Sequence, residues 1–268
     1  MRTNTSYFFD YFQALPHSGS ENFNYKDFHS LILMAICDAK LKFIFIDFGG
    51  KGRRGDGNVF YHCSFGKRMR LGMLNTPPPI PCDGFRHDQD VPFVFVGDAA
   101  FSGNPNIISP VKGRFLQDEV NVFNYRVSRA RRIVENAFGI MASRFRILQT
   151  MIIGSAALIK SIVLACAALH NYHLMDEDSI PPKSRRYNEH GLADHVMRNG
   201  RLQQGRWRTE NKIKEKSIFN NLKHGVCVVE NLGCSQHQKL TAEKVQDLFM
   251  EYFVDNAVPW QWQSAHVI

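Results

Sequence analysis

Two carboxylates stand out by their setting. Asp98 follows Gly97 at the end of the apolar run Pro92-Phe93-Val94-Phe95-Val96, and Glu135 lies 37 positions further on, in a segment crowded with arginine. Hard divalent cations such as Mg²⁺ or Mn²⁺ take oxygen ligands from a few carboxylates. A pair of such ions can activate water and stabilise the leaving oxygen in phosphodiester chemistry. Arg126, Arg129, Arg131 and Arg132 precede Glu135, and Arg144 and Arg146 follow it. Guanidinium groups pair with phosphate oxygens. Lys51, Arg53 and Arg54, in the glycine-rich stretch Gly49 to Gly57, form a second basic group that suits either a flexible loop or contact with a DNA backbone. These residue types suit metal-dependent cleavage of a nucleic-acid strand, with Asp98 and Glu135 as catalytic residues and metal ligands.

Each group needs an element to carry it. Phe93 to Val96 is short, apolar and β-prone, and reads as a buried strand with Asp98 at its carboxyl end. Residues 99–117 hold Gly, Pro, Asn and Ser and read as loop. Val127, Ala130, Val134, Ala137, Phe138, Met141, Phe145 and Leu148 recur at helical steps, which predicts one apolar stripe down a helix. Glu135 lies just off that stripe. Ser128, Gly139 and Ala142 lie near it and are small, which leaves room for Glu135 to approach another element or a substrate.

Upstream, Phe28 to Cys37 and Lys42 to Asp47 read as neighbouring strands joined by a turn at Asp38-Ala39-Lys40, with Asp38 as a turn residue and Asp47 structural. Asp56 reads as a cap for the next segment, Phe60 to Leu74 as a helix, and the proline-rich residues 75–90 as a rigid loop. Gly154-Ser155 starts a packed helix over Ala156 to Met175, whose His170 and His173 read as ordinary helix histidines. Tyr7 to Phe12 suits either a strand or a docked terminus.

The whole chain sets bounds. A net charge of +8 and a pI near 9.2 over 268 residues favour a polyanionic partner. None of the 6 cysteines forms a Cys-x-x-Cys pair, and the grouping Cys227, Cys234, His237 is too loose to argue for zinc. Such usage fits a reducing compartment. Met1 to Ser6 has no apolar signal core, and the run Ile162 to Leu169 is too short to span a bilayer, so no membrane role is expected. Residues 176–211 read as a mostly disordered polar linker, in which Gly205-Arg206-Trp207-Arg208 either touches nucleic acid or is simply exposed. Residues 212–268 read as a short tail, mostly helical or disordered, with a short helix over Thr241 to Phe253 and the aromatic group Val258 to Trp262 near its end.

Gly97-Asp98-Ala99-Ala100-Phe101, Ile108-Ser109-Pro110, and Ser128 to Gly139 followed by Arg144-Phe145-Arg146 resemble the DDE nuclease domain of PIF/Harbinger transposases and the nucleases derived from them. Asn24 to Ser30, Ala35 to Ala39, Asp47 to Gly52, Gly55 to Phe60, Ala167 to Asn171 and Val258 to Gln261 extend the resemblance. It implies an α/β fold, an RNase-H-like mixed sheet flanked by helices, over residues 1–175. It further implies a metal-dependent DNA endonuclease with Mg²⁺ or Mn²⁺ as cofactor, DNA and a Myb-like DNA-binding protein as partners, and work in the nucleus or also the cytoplasm. The family's first catalytic Asp aligns with Ser6, and Asp10 falls four residues late, about 13 Å along a strand. The start therefore reads as a truncated or reassembled copy. Two functions are implied: an endonuclease, inactive as this chain is written unless Asp10 or Asp56 completes its site, or a catalytically dead module that binds DNA or protein.

Overall fold

The computed structural model describes residues 2–9, 31–51, 56–81, 90–101, 103–113, 116–150, 152–197, 201–210, 226–228 and 241–255. Its main sheet grows from the run Leu31–Cys37 (β2), which is apolar at every position. Side chains alternate across a strand, and here both faces are covered. Ile32, Met34 and Ile36 enter one buried cluster, and Leu33, Ala35 and Cys37 enter another. Arg2–Phe9 (β1) pairs antiparallel with β2, so Tyr7 to Phe9 of the aromatic start are strand, and Asp10 to Phe12 lie outside the described residues. Phe43–Lys51 (β3) pairs on the other side of β2, and Phe95–Val96 (β4) runs parallel to β1, with Thr3 opposite Val96. Val226–Val228 (β8) completes the order β3-β2-β1-β4-β8 and also pairs with β1.

Asp38 makes the turn between β2 and β3, as expected: its Oδ1 accepts from the backbone N–H groups of Lys40 and Lys42, both at 2.9 Å. β3 continues past the expected end at Asp47, through Gly49 and Gly50 to Lys51, where a loop was expected. The register steps from Leu33 opposite Phe48 to Ile32 opposite Gly50, so Gly49 is the extra residue of a bulge. Its φ of +120° suits glycine, and the strand continues through it.

One face of the sheet carries Asp56–His62 (α1) and Ser64–Arg70 (α2), with Phe60 and Phe101 packed against β2 and β4. A single helix over Phe60 to Leu74 was expected. It is broken at Cys63, whose Sγ caps α2 by accepting from Gly66 N–H at 3.2 Å. Phe95 donates to the Asn106 carbonyl and Gly97 to the Ile108 carbonyl, at Ile107–Ile108 (β5), a short strand inside the expected 99–117 loop.

The other face carries Asp118–Arg144 (α3) and Ala156–Asp176 (α4). α3 starts nine residues before Val127, and its stripe is buried as expected: Val134, Ala137, Phe138 and Met141 are at most 2% exposed. Ser155 caps α4 by accepting from Leu158 N–H at 3.2 Å. α4 as a whole has the length and hydropathy to cross a bilayer, which the run Ile162 to Leu169 alone does not, yet Ile159, Val163 and Leu174 are buried in the protein. Ala242–Asp255 (α6), the expected tail helix, sets Val245 and Phe253 against Phe123 and Val127 of α3. Helices thus pack on both faces of a mixed sheet, an α/β arrangement.

The described part of the segment expected as a mostly disordered linker, residues 176–197 and 201–210, is packed instead. It forms the small hairpin His195–Val196 (β6) and Leu202–Gln203 (β7), followed by the turn of helix Trp207–Glu210 (α5). Tyr187, Leu192 and Trp207 share a buried cluster with Ile140 and Leu174. The polar average of the segment hid three large anchors spaced along it.

Candidate active site

Val94 and Val96 are buried beneath α3, which brings the next acidic residue, Asp98, under the same helix. Asp98 is only 7% exposed. Its Oδ1 accepts from Ala99 N–H at 2.6 Å, at the start of the short 3-10 turn Ala99–Phe101. Arg131 of α3 brings Nη2 to 3.9 Å from the same oxygen. α3 therefore reaches Asp98 one helical turn before Glu135.

Glu135 is answered from elsewhere. Its Oε2 accepts from Arg208 Nη2 at 2.9 Å. Arg208 is held in turn by Asp194. Its Nε donates to Oδ1 at 2.9 Å and Oδ2 at 3.0 Å, and its Nη2 donates to Oδ2 at 2.5 Å. The Asp194 side chain is 1% exposed. Burial alone would weaken the Arg208 charge, but its hydrogen bonds to Asp194 and Glu135 more than offset that and hold the guanidinium above its ordinary pKa. The same guanidinium lies 4.3 Å from the centre of the Trp207 ring. Gly205-Arg206-Trp207-Arg208 is thus no exposed basic tetrad: Trp207 is 1% exposed and Arg208 points inward to Glu135.

The room beside Glu135 is used by another element. A Cβ at Gly139 would lie 2.2 Å from the Trp207 ring, so the indole sits on bare helix backbone. Asn136 fixes the arrangement: its Oδ1 accepts from Trp207 Nε1 and from Asp194 N–H, both at 2.9 Å, and its Nδ2 donates to the Asp194 carbonyl at 3.1 Å. Sequence reasoning missed Asn136, Asp194 and Arg208 as a unit. The signals were a buried-size tryptophan in a polar stretch and a glycine inside a long helix.

The basic residues divide. Burial pushes the Arg126 guanidinium down from its ordinary pKa, and it lies 5.8 Å from the Phe253 ring centre. Burial also lowers Arg132, against the opposing pull of Tyr125, Asp194 and Glu135, and its Nη1 is buried without a hydrogen bond. Arg129 and Arg131 are partly buried. Arg144 turns away to donate to the carbonyls of Tyr187 and Arg186 and to Glu189. Lys51 ends β3, while Arg53, Arg54, Asp10, Cys234, His237 and Val258 to Trp262 lie outside the described residues, as does the side chain of Asp56. His170 is buried between Tyr187 and Leu41, a structural place as expected.

A pair of divalent ions needs several unengaged carboxylate oxygens converging on one point. Asp98 Oδ1 is engaged by Ala99 N–H and faces Arg131, and Glu135 Oε2 is engaged by Arg208. Among the described residues no three His, Cys, Asp or Glu side chains converge as a metal-holding group. Among the described residues, Asp98 and Glu135 by themselves do not make up a two-ion centre.

No curated protein and no solved structure matches the chain. A family model described as DDE superfamily endonuclease matches residues 5–171, from β1 through most of α4. Such domains are transposase-type nucleases, with DNA as the implied substrate, and they generally use divalent metals. With more than half its length matched, and both candidate carboxylates inside the match, the chain belongs to the DDE superfamily of endonucleases.

Proposed function

We propose that this chain is a Harbinger-type DDE domain that binds DNA and, as written, does not cut it. The observation that carries this reading is the pairing of each candidate carboxylate with a guanidinium, Asp98 with Arg131 and Glu135 with Arg208. A carboxylate facing an arginine offers a cation less negative charge and fewer accepting lone pairs. The family resemblance gives the first acidic residue to position 6, yet the chain holds Thr5 and Ser6 here, so neither candidate first-strand position offers a third charge.

The strand order supports an RNase-H-like arrangement. β1, β2 and β3 form an antiparallel meander, and β4 returns parallel beside β1, so the first strand and the strand before Asp98 lie together at the centre. DNA contact rests on the net charge of +8 and on Arg129, Arg131 and the neighbouring basic side chains of α3. A nuclear location and a Myb-like partner follow from the resemblance alone.

The test has two arms. Affinity for a mixed-sequence duplex is measured across a salt series, and cleavage of supercoiled DNA is followed with Mg²⁺ or Mn²⁺. The expected result is binding that weakens steeply with salt and no cleavage. Cleavage by the unmodified chain that disappears in Glu135→Ala would make it an active endonuclease instead. A flat salt dependence would remove DNA as the partner.

A further inference from the structure

Residues 186–197 and 201–210 are tied to α3 along three of its turns. At the far end Arg144 donates to the Arg186 and Tyr187 carbonyls at 2.9 and 2.7 Å. In the middle Trp207 is seated on Gly139. Nearest the candidate site, Asn136 bonds both the Asp194 backbone and the Trp207 indole, and Arg208 closes on Glu135.

Arg208 is not a surface arginine that happens to meet Glu135. Three hydrogen bonds that it donates to Asp194 fix it, and the aromatic ring beneath it fixes its plane. Asp194 is held by its own backbone bonds to Asn136 and by Gly205 N–H at 2.8 Å. The guanidinium is therefore preorganised by the segment that carries it, and Glu135 is the group it was brought to meet. Glu135 and Asp194 both meet one nitrogen, Arg208 Nη2, so a positive charge already stands where the Glu135 oxygen would meet a cation.

We propose that residues 186–197 and 201–210 form an intramolecular strap that keeps Glu135 from binding a divalent cation, with Arg208 as the blocking group and Trp207 as the latch. The proposal rests on the DDE reading, since only in that reading does Glu135 have a cation to take. Lifting the strap exposes the carboxylate without moving α3, because Asn136 and Gly139 belong to the helix and the strap supplies the rest.

The experiment measures Mn²⁺ binding to the full chain by the loss of the free-ion paramagnetic signal, at fixed ionic strength and without DNA. Removing Arg208 alone would strand the buried Asp194 charge, so the pair is changed together as Asp194→Asn with Arg208→Gln. The expected result is Mn²⁺ affinity raised at least about tenfold, and returned to the starting level when Glu135→Gln is added. Trp207→Ala, which leaves every charge in place, is expected to raise affinity in the same direction and serves if the paired variant fails to fold. Unchanged affinity in a variant with native circular dichroism overturns the strap. That outcome is separate from a failure of the proposed function, which is judged on DNA binding and cleavage by the unmodified chain.

Discussion

Trp207 stands on Gly139. The indole lies where the glycine's missing side chain would be, 2.2 Å from the position of a Cβ. The ring is 1% exposed, and its Nε1 is bonded to Asn136 one turn earlier on the same helix. The glycine is thus the seat of the segment that carries Arg208.

Gly139→Ala should therefore destabilise the protein although it improves the helix. The gain in helix propensity is about 1 kcal/mol, and overpacking a filled interior costs about 1–3 kcal/mol. Here the methyl group meets a rigid ring held on several sides, so the cost should win. Urea unfolding of the variant should show a lower midpoint than the parent. A higher midpoint would mean that the indole moves aside freely, and the latch role of Trp207 would be lost with it.

His170 should make stability fall with acid. Its Nε2 lies 3.0 Å from the Leu41 carbonyl, which can only accept, so that nitrogen carries the proton. Nδ1 then accepts from the Tyr187 hydroxyl at 2.8 Å. Burial pushes the ring's pKa from 6.5 to about 4; the bond to Leu41 opposes this and nearby His173 adds to it. The folded state binds the proton less readily than the unfolded state. The stability is therefore fully present above pH 6.5 and is lost as pH falls toward 4. The size is about 3 kcal/mol by linkage. Urea titrations at several pH values should give a shallower decline for His170→Gln than for the parent, and equal slopes would exclude His170 as the cause.

Parts of this molecule were legible because one physical signal dominated locally. The uniformly apolar Leu31–Cys37 reads as a strand buried on both faces, and the stripe from Val127 to Met141 reads as one side of a helix. Ser155 before an apolar segment reads as a cap. Tertiary context decided the rest. Gly49 looked like a loop residue because glycine's freedom serves loops and bulges alike. The strap looked disordered because its averaged composition is polar, whereas its order depends on a few residues, Tyr187, Leu192 and Trp207, meeting matching places on other elements. For the candidate site, Asp98 and Glu135 could be named from their neighbours. Their counter-charges could not, since Arg208 is 73 positions from Glu135 and only the folded chain brings them together.

Glu177 should be a structural carboxylate whose loss unravels the start of the strap. It follows α4 and accepts three backbone N–H groups, from Arg186 and Tyr187 at 2.6 Å each and from Asn188 at 2.9 Å. Burial alone would raise its pKa; those three bonds, with nearby Arg185, bring it below the ordinary value. Glu177→Ala leaves the three donors without their acceptor and should cost about 1–3 kcal/mol. Glu177→Gln keeps an accepting oxygen and should fall between. The check is the urea midpoint of both variants. An alanine variant as stable as the parent would show that water replaces the carboxylate at no cost.

The β1 register decides where a first-strand carboxylate would have to stand. Alignment with the family points to Ser6, but β1 and β4 run parallel with Thr3 opposite Val96. Counting two residues along each chain sets position 5, not 6, level with Asp98. The antiparallel partner agrees. Thr5 lies opposite Ala35, whose side chain is buried with Val134 and Ala137 of α3, on the side of the sheet that carries Glu135. Ser6 lies opposite Met34, which is buried with Val59 and Phe60 of α1 on the other side. Adjacent positions on a strand face opposite sides, so only one of them can serve. Thr5→Asp should add a charge beside Asp98 and raise Mn²⁺ affinity about tenfold, with the gain lost when Asp98→Asn is added. Ser6→Asp should bring no such gain. A stable Ser6→Asp variant that binds Mn²⁺ more tightly, beside a Thr5→Asp variant that does not, would mean that β1 pairs one residue out of this register and that the family alignment marks the true position.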